Sequence, residues 1–421
     1  VADLARCAGE LSARGDIRPF ELCATDRGGA VEVPQKLYGR TGDVRALLNA
    51  FDRAAAGGRG LVLVSGPPGI GKTSLIREVY RPIAESRGDL LEGKFDQFRL
   101  GVPYAPLGHA FGRFLRWVLS QDDAAVGAWR AKIGGAVGRN GAVLVEILPE
   151  LEALLGPLEP AQDLAAAEAE NRFLLVFREL VEAIATREHP VALCLDDLQW
   201  ADVPTLRLLE RIVTDANSRY LLVIGAYRDN EVDAGHPLNL TIENVRRGGV
   251  APTAIRLGAL TELQVQRLLR DTFAQRGAEV DELAAVCMAK TGGNPFFLRR
   301  FLEALGERGV VAWRPSTRRW TWEVAAIEAL PHTENVVNFL LDGLSGLPRA
   351  AQAALQQAAC IGDSFDLRLL AESTGRPPAD LQSDLRPAVD AGLVAPQGRG
   401  WTLDAADPPD AIPDEAYRYV F

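Results

Sequence analysis

The sequence predicts an α/β fold: a parallel sheet with helices on both faces, followed by a small helical lid domain and a winged-helix-like domain. Two observations predict the sheet. Short β-rich strands alternate with helical segments between residues 35 and 260, and several of these strands are apolar along their whole length. Continuous apolar strands are typical of parallel sheets that are buried on both faces.

Five segments are predicted to form the strands of this sheet. They are 61–66, 90–96, 191–197, 220–228 and 253–260. The helical segments between them include 72–85 and 169–188. We therefore assign residues 35–260 to one α/β domain.

The remaining residues form three predicted segments. Residues 1–34 have a helical pattern and then an irregular linker, and 261–308 form the small helical domain. Residues 309–421 are assigned to a hairpin plus the winged-helix-like domain, which ends in mid-pattern. Within them, 309–323 alternate like two strands with their tryptophans on one face, and 392–403 indicate a final hairpin.

Composition excludes several classes of function. Lys and Arg number 46 against 56 Asp and Glu, a net charge of −10, which argues against nonspecific polyanion binding by the whole chain. No apolar run approaches the ~18 residues that a membrane helix needs. The five cysteines are scattered and lack metal-ligand spacing, which favours reduced thiols in a cytoplasmic protein.

The stretch GPPGIGKT, residues 66–73, fits the pattern G-x-x-x-x-G-K-[ST] between a strand and a helix. In this context the pattern predicts a phosphate-binding loop, the Walker A motif of a P-loop NTPase. Lys72 is then expected to reach the β- and γ-phosphates, and the Thr73 hydroxyl to ligate Mg²⁺. The predicted nucleotide-binding residues of this loop are Gly66, Pro67, Pro68, Gly69, Ile70, Gly71, Lys72, Thr73 and Ser74.

The stretch VALCLDD ends a predicted buried strand with two adjacent carboxylates. Burying such a pair is costly unless a cation compensates it, and ligands bind at the carboxyl ends of parallel strands. Asp196 is therefore expected to hold the Mg²⁺, and Asp197 to orient or activate the attacking water. A pair of helix-capping carboxylates is the alternative interpretation.

Six segments in order resemble the AAA-type ATPase module of STAND signalling proteins. They are PQKLYGR (34–40), GPPGIGKTSL (66–75), GKFDQ (93–97), HPVALCLDDLQWAD (189–202), GAYRDNEV (225–232) and KTGGNPFF (290–297). The chain looks most like the module in bacterial proteins that join a Ser/Thr kinase, this ATPase, a GAF domain and a histidine kinase. Its N-terminus resembles the tail that follows the kinase in such proteins.

The resemblance implies further site residues. Arg228 occupies the position of a γ-phosphate sensor, and Pro295 that of the lid proline that packs on adenine. Tyr38, Gly39 and Arg40 would line the adenine side. Each has an ordinary alternative: an ion-pairing surface arginine, a loop proline, and a tyrosine of the core.

Three functions fit these observations. The favoured one is an ATP-binding, slowly hydrolysing regulatory switch, with ATP/ADP and Mg²⁺ as ligands and with other domains of the same polypeptide or signalling proteins as partners. Nucleotide-dependent self-association is also expected. The alternatives are an initiator-like DNA-binding ATPase, which the net charge disfavours, and a nucleotide-stabilised scaffold without turnover.

Overall fold

The structure is a computed structural model. It describes residues 31–85, 88–97, 103–162, 164–330, 344, 346–362, 364–390, 393–397 and 418–420. The chain divides after Leu330 into two compact units. Within the described residues, none of the helices combines the length and the apolar character that crossing a membrane requires.

The first unit is built on a five-stranded parallel sheet, which confirms the predicted fold class. Its strands are β1 (Arg59–Ser65), β2 (Asp89–Lys94), β3 (Val191–Asp196), β4 (Leu221–Tyr227) and β5 (Thr253–Arg256). Their order across the sheet is β2-β3-β4-β1-β5. Because β3, β4 and β1 are parallel neighbours, their carboxyl ends meet at one edge.

Helices cover both faces of the sheet because successive side chains of each strand point to opposite faces. Val62 and Val64 pack with the helices of the first face, α1 (Thr41–Ala55), α2 (Lys72–Arg77) and α3 (Tyr80–Glu85). Leu61 and Leu63 pack in the core of the second face. Its helices are α4 (Ala105–Leu119), α5 (Asp123–Val137), α6 (Glu150–Leu155), α7 (Ala166–Ile184), α8 (Val203–Thr214) and α9 (Pro237–Arg247).

The single helix predicted over 72–85 is two short helices in the structure. The helix is interrupted at Glu78 and Val79. Pro82, in the first turn of the second helix, has no N–H and so cannot bond to the carbonyl of Glu78. The amides of Glu78 and Val79 bond instead to carbonyls three residues earlier, each at 3.1 Å.

A second core lies in the helical lid that follows the sheet. The lid helices are α10 (Glu262–Phe273), α11 (Ala278–Thr291) and α12 (Pro295–Glu307), followed by the hairpin β6 (Val311–Arg314) and β7 (Arg319–Trp322) and by α13 (Val324–Glu328). The rings of Trp320 and Trp322 both contact Phe273, at 5.6 and 5.2 Å between ring centroids. The two tryptophans therefore share one face, as predicted.

These contacts correct one predicted boundary. The sequence groups the hairpin with the residues that follow it, from residue 309 onward. In the structure Val311 and Trp320 are buried in the lid core, and the compact unit ends at Leu330. The hairpin belongs with the lid because its aromatic side chains are buried there, a contact that the order of segments in the sequence does not reveal.

In the part of the second unit that the structure describes, three helices pack with a small antiparallel sheet. Its elements are α14 (Arg349–Ile361), β8 (Ser364–Asp366), α15 (Leu367–Thr374), α16 (Pro378–Asp390), β9 (Ala395–Gln397) and β10 (Arg418–Val420). The strands lie in the order β8-β10-β9. The winged-helix assignment stays a prediction, since part of the predicted final hairpin lies outside the described residues. The predicted N-terminal helix also lies outside them.

The core beneath the sheet's second face is expected to tolerate truncation poorly. Phe177 is fully buried on α7 and packs edge-to-face on Phe111, at 5.1 Å. We expect Phe177→Ala to destabilise the unit by about 3–5 kcal/mol, because both transfer energy and packing are lost. Leu175→Ala, on the same helix but 45% exposed, is the matched control. Urea unfolding followed by circular dichroism measures both, and equal midpoints would contradict the assigned core.

Candidate functional site

A cavity of about 630 Å³ lies at the carboxyl edge of the sheet, beneath the lid. The phosphate-binding loop, the ends of β2, β3 and β4, the segment before α1 and the start of α12 all contribute to its lining. The predicted site residues that line it are Tyr38, Arg40, Pro68, Gly69, Ile70, Gly71, Lys72, Thr73, Ser74, Asp196, Asp197, Arg228 and Pro295. Gly39, Gly66 and Pro67 belong to the same segments but do not line it.

The loop after β1 adopts a conformation that only glycines accommodate well. Gly69 and Gly71 have φ of 73° and 97°. A Cβ added to Gly69 would lie 2.8 Å from the Cβ of Phe296, so a side chain there would push the lid away. The loop curls around Lys72, whose ammonium donates to the carbonyls of Gly66 and Pro67 at 2.9 and 3.1 Å.

The ammonium of Lys72 lies in a poorly hydrated place. Lys72 is only 8% exposed, and burial lowers its pKa. The carboxylates of Asp196 and Asp197 raise this pKa and so oppose the effect of burial. Attraction between charges is less screened where water is excluded. The ammonium at the base of this loop is therefore well placed to bind an anionic group.

Thr73 and Asp196 come from different elements and meet in the cavity. The Thr73 hydroxyl donates to Oδ2 of Asp196 at 2.9 Å. Burial raises the pKa of the Asp196 carboxyl, and the neighbouring charge of Asp197 raises it further, whereas the Thr73 hydrogen bond lowers it. Hydroxyl and carboxylate oxygens are the ligands that Mg²⁺ prefers, so these two residues fit a shared magnesium ion.

Asp197 lies next to this pair and is itself held by several groups. It has a left-handed φ of 58° and is 7% exposed. Its Oδ1 accepts from Nε2 of Gln199 at 2.8 Å and lies 3.6 Å from Nε of Arg228. Its Oδ2 lies 3.8 Å from the ammonium of Lys94. A carboxylate fixed in this way suits the positioning of a nucleophile.

Arg228 directly follows β4 and lines the cavity. Its guanidinium lies 4.8 Å from the ring centroid of Trp200, and Nη1 bonds to Glu231 at 2.8 Å. Trp200 thus supports the arginine by packing and a cation–π contact. The residue predicted to sense the γ-phosphate is within reach of Asp197, on the neighbouring strand.

The lid contacts the phosphate-binding loop directly. Nδ2 of Asn294 donates to the carbonyl of Pro68 at 2.9 Å, and the amide of Phe296 donates to the carbonyl of Gly69 at 3.2 Å. Oδ1 of Asn294 also caps α12 by accepting from Phe296 and Phe297. One side chain therefore starts the lid helix and joins it to the loop.

The segment before α1 connects the sheet to the lid. Tyr38 is 7% exposed, and its hydroxyl donates to Asp271 on α10 at 2.9 Å. Burial, followed by this hydrogen bond, raises its pKa. Arg40 donates to the carbonyl of Gly258, between β5 and the lid. Gly39 has a φ of 70°, and an added Cβ would overlap the side chain of Gln264.

Sequence reasoning missed two contributors to the site. Lys94 is paired in register with Asp196 across β2 and β3, which the sequence alone does not specify. Asn294 belongs to the segment KTGGNPFF, but nothing in the sequence places the lid against Pro68.

Comparison with known families decides the class of the first unit. Residues 36–224 match the family model described as the AAA ATPase domain. The match confirms the predicted AAA-type module over this stretch, which includes the predicted phosphate-binding loop and both adjacent aspartates.

The similarity to known proteins extends beyond residues 36–224. Hybrid signal transduction histidine kinase G of Dictyostelium discoideum is 27% identical over 418 residues, which cover 84% of this chain but 12% of that protein. A STAND protein with a tetratricopeptide repeat sensor from Pyrococcus horikoshii has a TM-score of 0.43 and 15% identity, over 88% of this chain and 41% of its own. Cdc6p from Pyrobaculum aerophilum has a TM-score of 0.39 and 16% identity, over 87% and 89%.

Two variants of Asn294 separate its roles. Asn294→Asp keeps the capping oxygen but loses the donor to Pro68 and adds a negative charge beside the phosphate loop. We expect it to keep the thermal unfolding midpoint and to weaken ATP binding several-fold. Asn294→Ala is expected also to lose about 1 kcal/mol of stability with the cap.

Calorimetric titration with ATP·Mg²⁺ and thermal unfolding give the two measurements. Wild-type ATP affinity in Asn294→Asp would show that the contact with Pro68 does not influence the nucleotide site.

Proposed function

We propose that the chain is the ATP-binding and slowly hydrolysing regulatory switch module of a multidomain signalling protein. The observation that carries this proposal is the contact of the lid with the phosphate-binding loop through Asn294 and Phe296. This contact lies in the same cavity as Lys72, Asp196 and Asp197. A lid that is bonded to the loop is suited to respond to the phosphates bound there.

Each polar group of the site has a task in phosphoryl transfer, which depends mainly on positioning and on charge neutralisation. Lys72 would neutralise the β- and γ-phosphates, and Arg228 would contact the γ-phosphate. Thr73 and Asp196 would hold Mg²⁺, which supplies further neutralising charge. Asp197 would orient a water molecule toward the γ-phosphorus and accept its proton as the bond to ADP breaks.

The energies allow such a switch to work. Moving an equilibrium from 1:99 to 99:1 requires ~5.5 kcal/mol of differential affinity. The two hydrogen bonds from the lid to the loop contribute on the order of 1 kcal/mol each. Contacts made only with the γ-phosphate, by Arg228 and the bound metal ion, would act against these two bonds and shift the equilibrium. ATP and ADP would then favour different placements of the lid and the winged-helix-like domain.

The signalling role rests on the relative of which this chain spans 12%. A module of this kind would act on other domains of its polypeptide or on signalling proteins, with self-association in one nucleotide state. The buried thiols Cys194 and Cys287 are free, which agrees with a reducing, cytoplasmic setting. The net charge of −10 disfavours the DNA-binding alternative.

The nucleotide site is tested by two lysine variants. Lys72→Ala removes the ammonium from the phosphate-binding loop, and we expect ATP·Mg²⁺ to bind at least ~10-fold more weakly, since a partly buried charge-assisted contact is lost. Lys132→Ala is the matched control, because Lys132 lies over the Trp129 ring, away from the cavity lining. Titration calorimetry measures both affinities. Equal affinity of Lys72→Ala and wild type would contradict an ATP site at this loop.

The switch is tested by stopping turnover. Asp197→Asn removes the group assigned to the attacking water, so we expect hydrolysis to fall ~100-fold or more while ATP still binds. Small-angle scattering of this variant with ATP, against wild type with ADP, should give different radii of gyration or molecular masses.

The outcomes separate the candidate functions. Undetectable hydrolysis in wild type with tight ATP binding would favour the scaffold. Identical scattering in both nucleotides, with normal turnover, would leave an ATPase but contradict the switch.

A further inference from the structure

Gln199 is a buried polar side chain for which the proposed function has no role. It lies in the one-turn 3₁₀ helix Leu198–Trp200 and is 6% exposed. The left-handed φ of Asp197, 58°, turns the chain back after β3, so that Gln199 folds over the residue two positions earlier. Burying an amide without hydrogen-bond partners costs roughly 1–3 kcal/mol, so the partners of this side chain matter.

Both ends of the Gln199 amide are bonded to residues of the site. Nε2 donates to Oδ1 of Asp197 at 2.8 Å, and Oε1 accepts from the backbone N–H of Arg228 at 3.1 Å. The partners determine the orientation of the amide, because an ionised carboxylate only accepts and a backbone N–H only donates. A methionine of similar length can make neither bond, and an ionised glutamate can make only the second.

The backbone of Gln199 is fixed as well. Its carbonyl oxygen lies 2.9 Å from Nε2 of His236, which precedes α9. Nδ1 of His236 accepts from the amide of Leu238 at 3.1 Å, so Nε2 is the nitrogen that carries the proton and donates. Gln199 is therefore anchored from β3, β4 and α9, and its side chain has little freedom to rotate.

We propose that Gln199 is a positioning residue for ATP hydrolysis, which holds the Asp197 carboxylate at a fixed orientation relative to Arg228. This inference rests on the proposed function. Oδ1 of Asp197 is bonded to Gln199, and Oδ2, on the side of Lys94, is the oxygen that we assign to the attacking water. Catalysis by a positioned group depends steeply on such geometry.

The same amide links the two strand ends mechanically. Gln199 bonds to the side chain after β3 and to the backbone at the end of β4. A displacement of Arg228 toward a γ-phosphate is therefore transmitted to Asp197 through one side chain. The group that orients water and the group that senses phosphate would move together.

The first test is Gln199→Met, which preserves length and approximate volume but removes both hydrogen bonds. We expect kcat for ATP hydrolysis to fall ~10-fold or more, with the Kd for ATP·Mg²⁺ within about threefold of wild type, because orientation is lost but not binding. Gln121→Met is the matched control, on an exposed residue of the second face. Wild-type kcat in Gln199→Met would show that only packing matters and would overturn the inference.

The second test is Gln199→Glu. When ionised, the introduced carboxyl group repels Asp197 and cannot donate to it; when protonated, its O–H and C=O reproduce both bonds of the amide. Asp197 raises the pKa of this group, whereas Lys94 and Arg228 lower it. We expect the ratio of variant to wild-type kcat to fall as the pH rises, because ionisation of the introduced carboxyl group removes its donor to Asp197.

The outcomes are distinguishable. A Gln199→Glu variant with wild-type kcat at every pH would overturn the inference even if Gln199→Met proved too unstable to assay, as thermal unfolding would reveal. Wild-type protein without any ATP turnover would contradict the hydrolysing switch and this inference with it. Normal wild-type turnover with unaffected variants would overturn the inference alone.

Discussion

The site depends on the parallel register of three adjacent strands. β1 pairs with β4 along its whole length, and β4 pairs with β3, so the chain leaves all three strands at the same edge of the sheet. This register brings Thr73, Asp196 and Arg228 together, although more than a hundred residues separate the first two. The hydrogen bond of 2.9 Å between Thr73 and Asp196 follows from it. A slip of one residue would turn every side chain of a strand to the opposite face.

The lid depends on a smaller set of contacts. Asn294 caps α12 and bonds to Pro68, while Tyr38 and Lys36 bond to Asp271 on α10. The lid thus contacts the rim of the cavity at two places, the predicted phosphate-binding loop and the segment before α1. The segment before α1 also packs apolar side chains into the lid core, among them Val31, Val33 and Tyr38. The lid is therefore held both by individual hydrogen bonds and by buried apolar contacts.

Local patterns predict much of this architecture, and long-range contacts account for the rest. The five strands and the phosphate-binding loop follow from apolar runs and glycine spacing, which are properties of short segments. The break before Pro82 also had a local signal, which the apolar pattern of 72–85 concealed. The place of the hairpin was wrong because Trp320 packs on Phe273, a contact between distant segments. Lys94 was missed because its position depends on strand register.

Electrostatics explain why two adjacent carboxylates are tolerated at this edge. Lys72, Lys94 and Arg228 lie around Asp196 and Asp197, but the compensation is incomplete, since burial and the neighbouring charge still raise the pKa of Asp196. A divalent cation beside Thr73 would relieve this cost by favouring the ionised form. Proton and cation then compete for the same oxygen, so the affinity for the metal would be lost as the pH falls through the raised pKa. The unfavourable proximity of the two carboxylates would thereby favour binding of magnesium, and the surrounding cations would remain available to the phosphates.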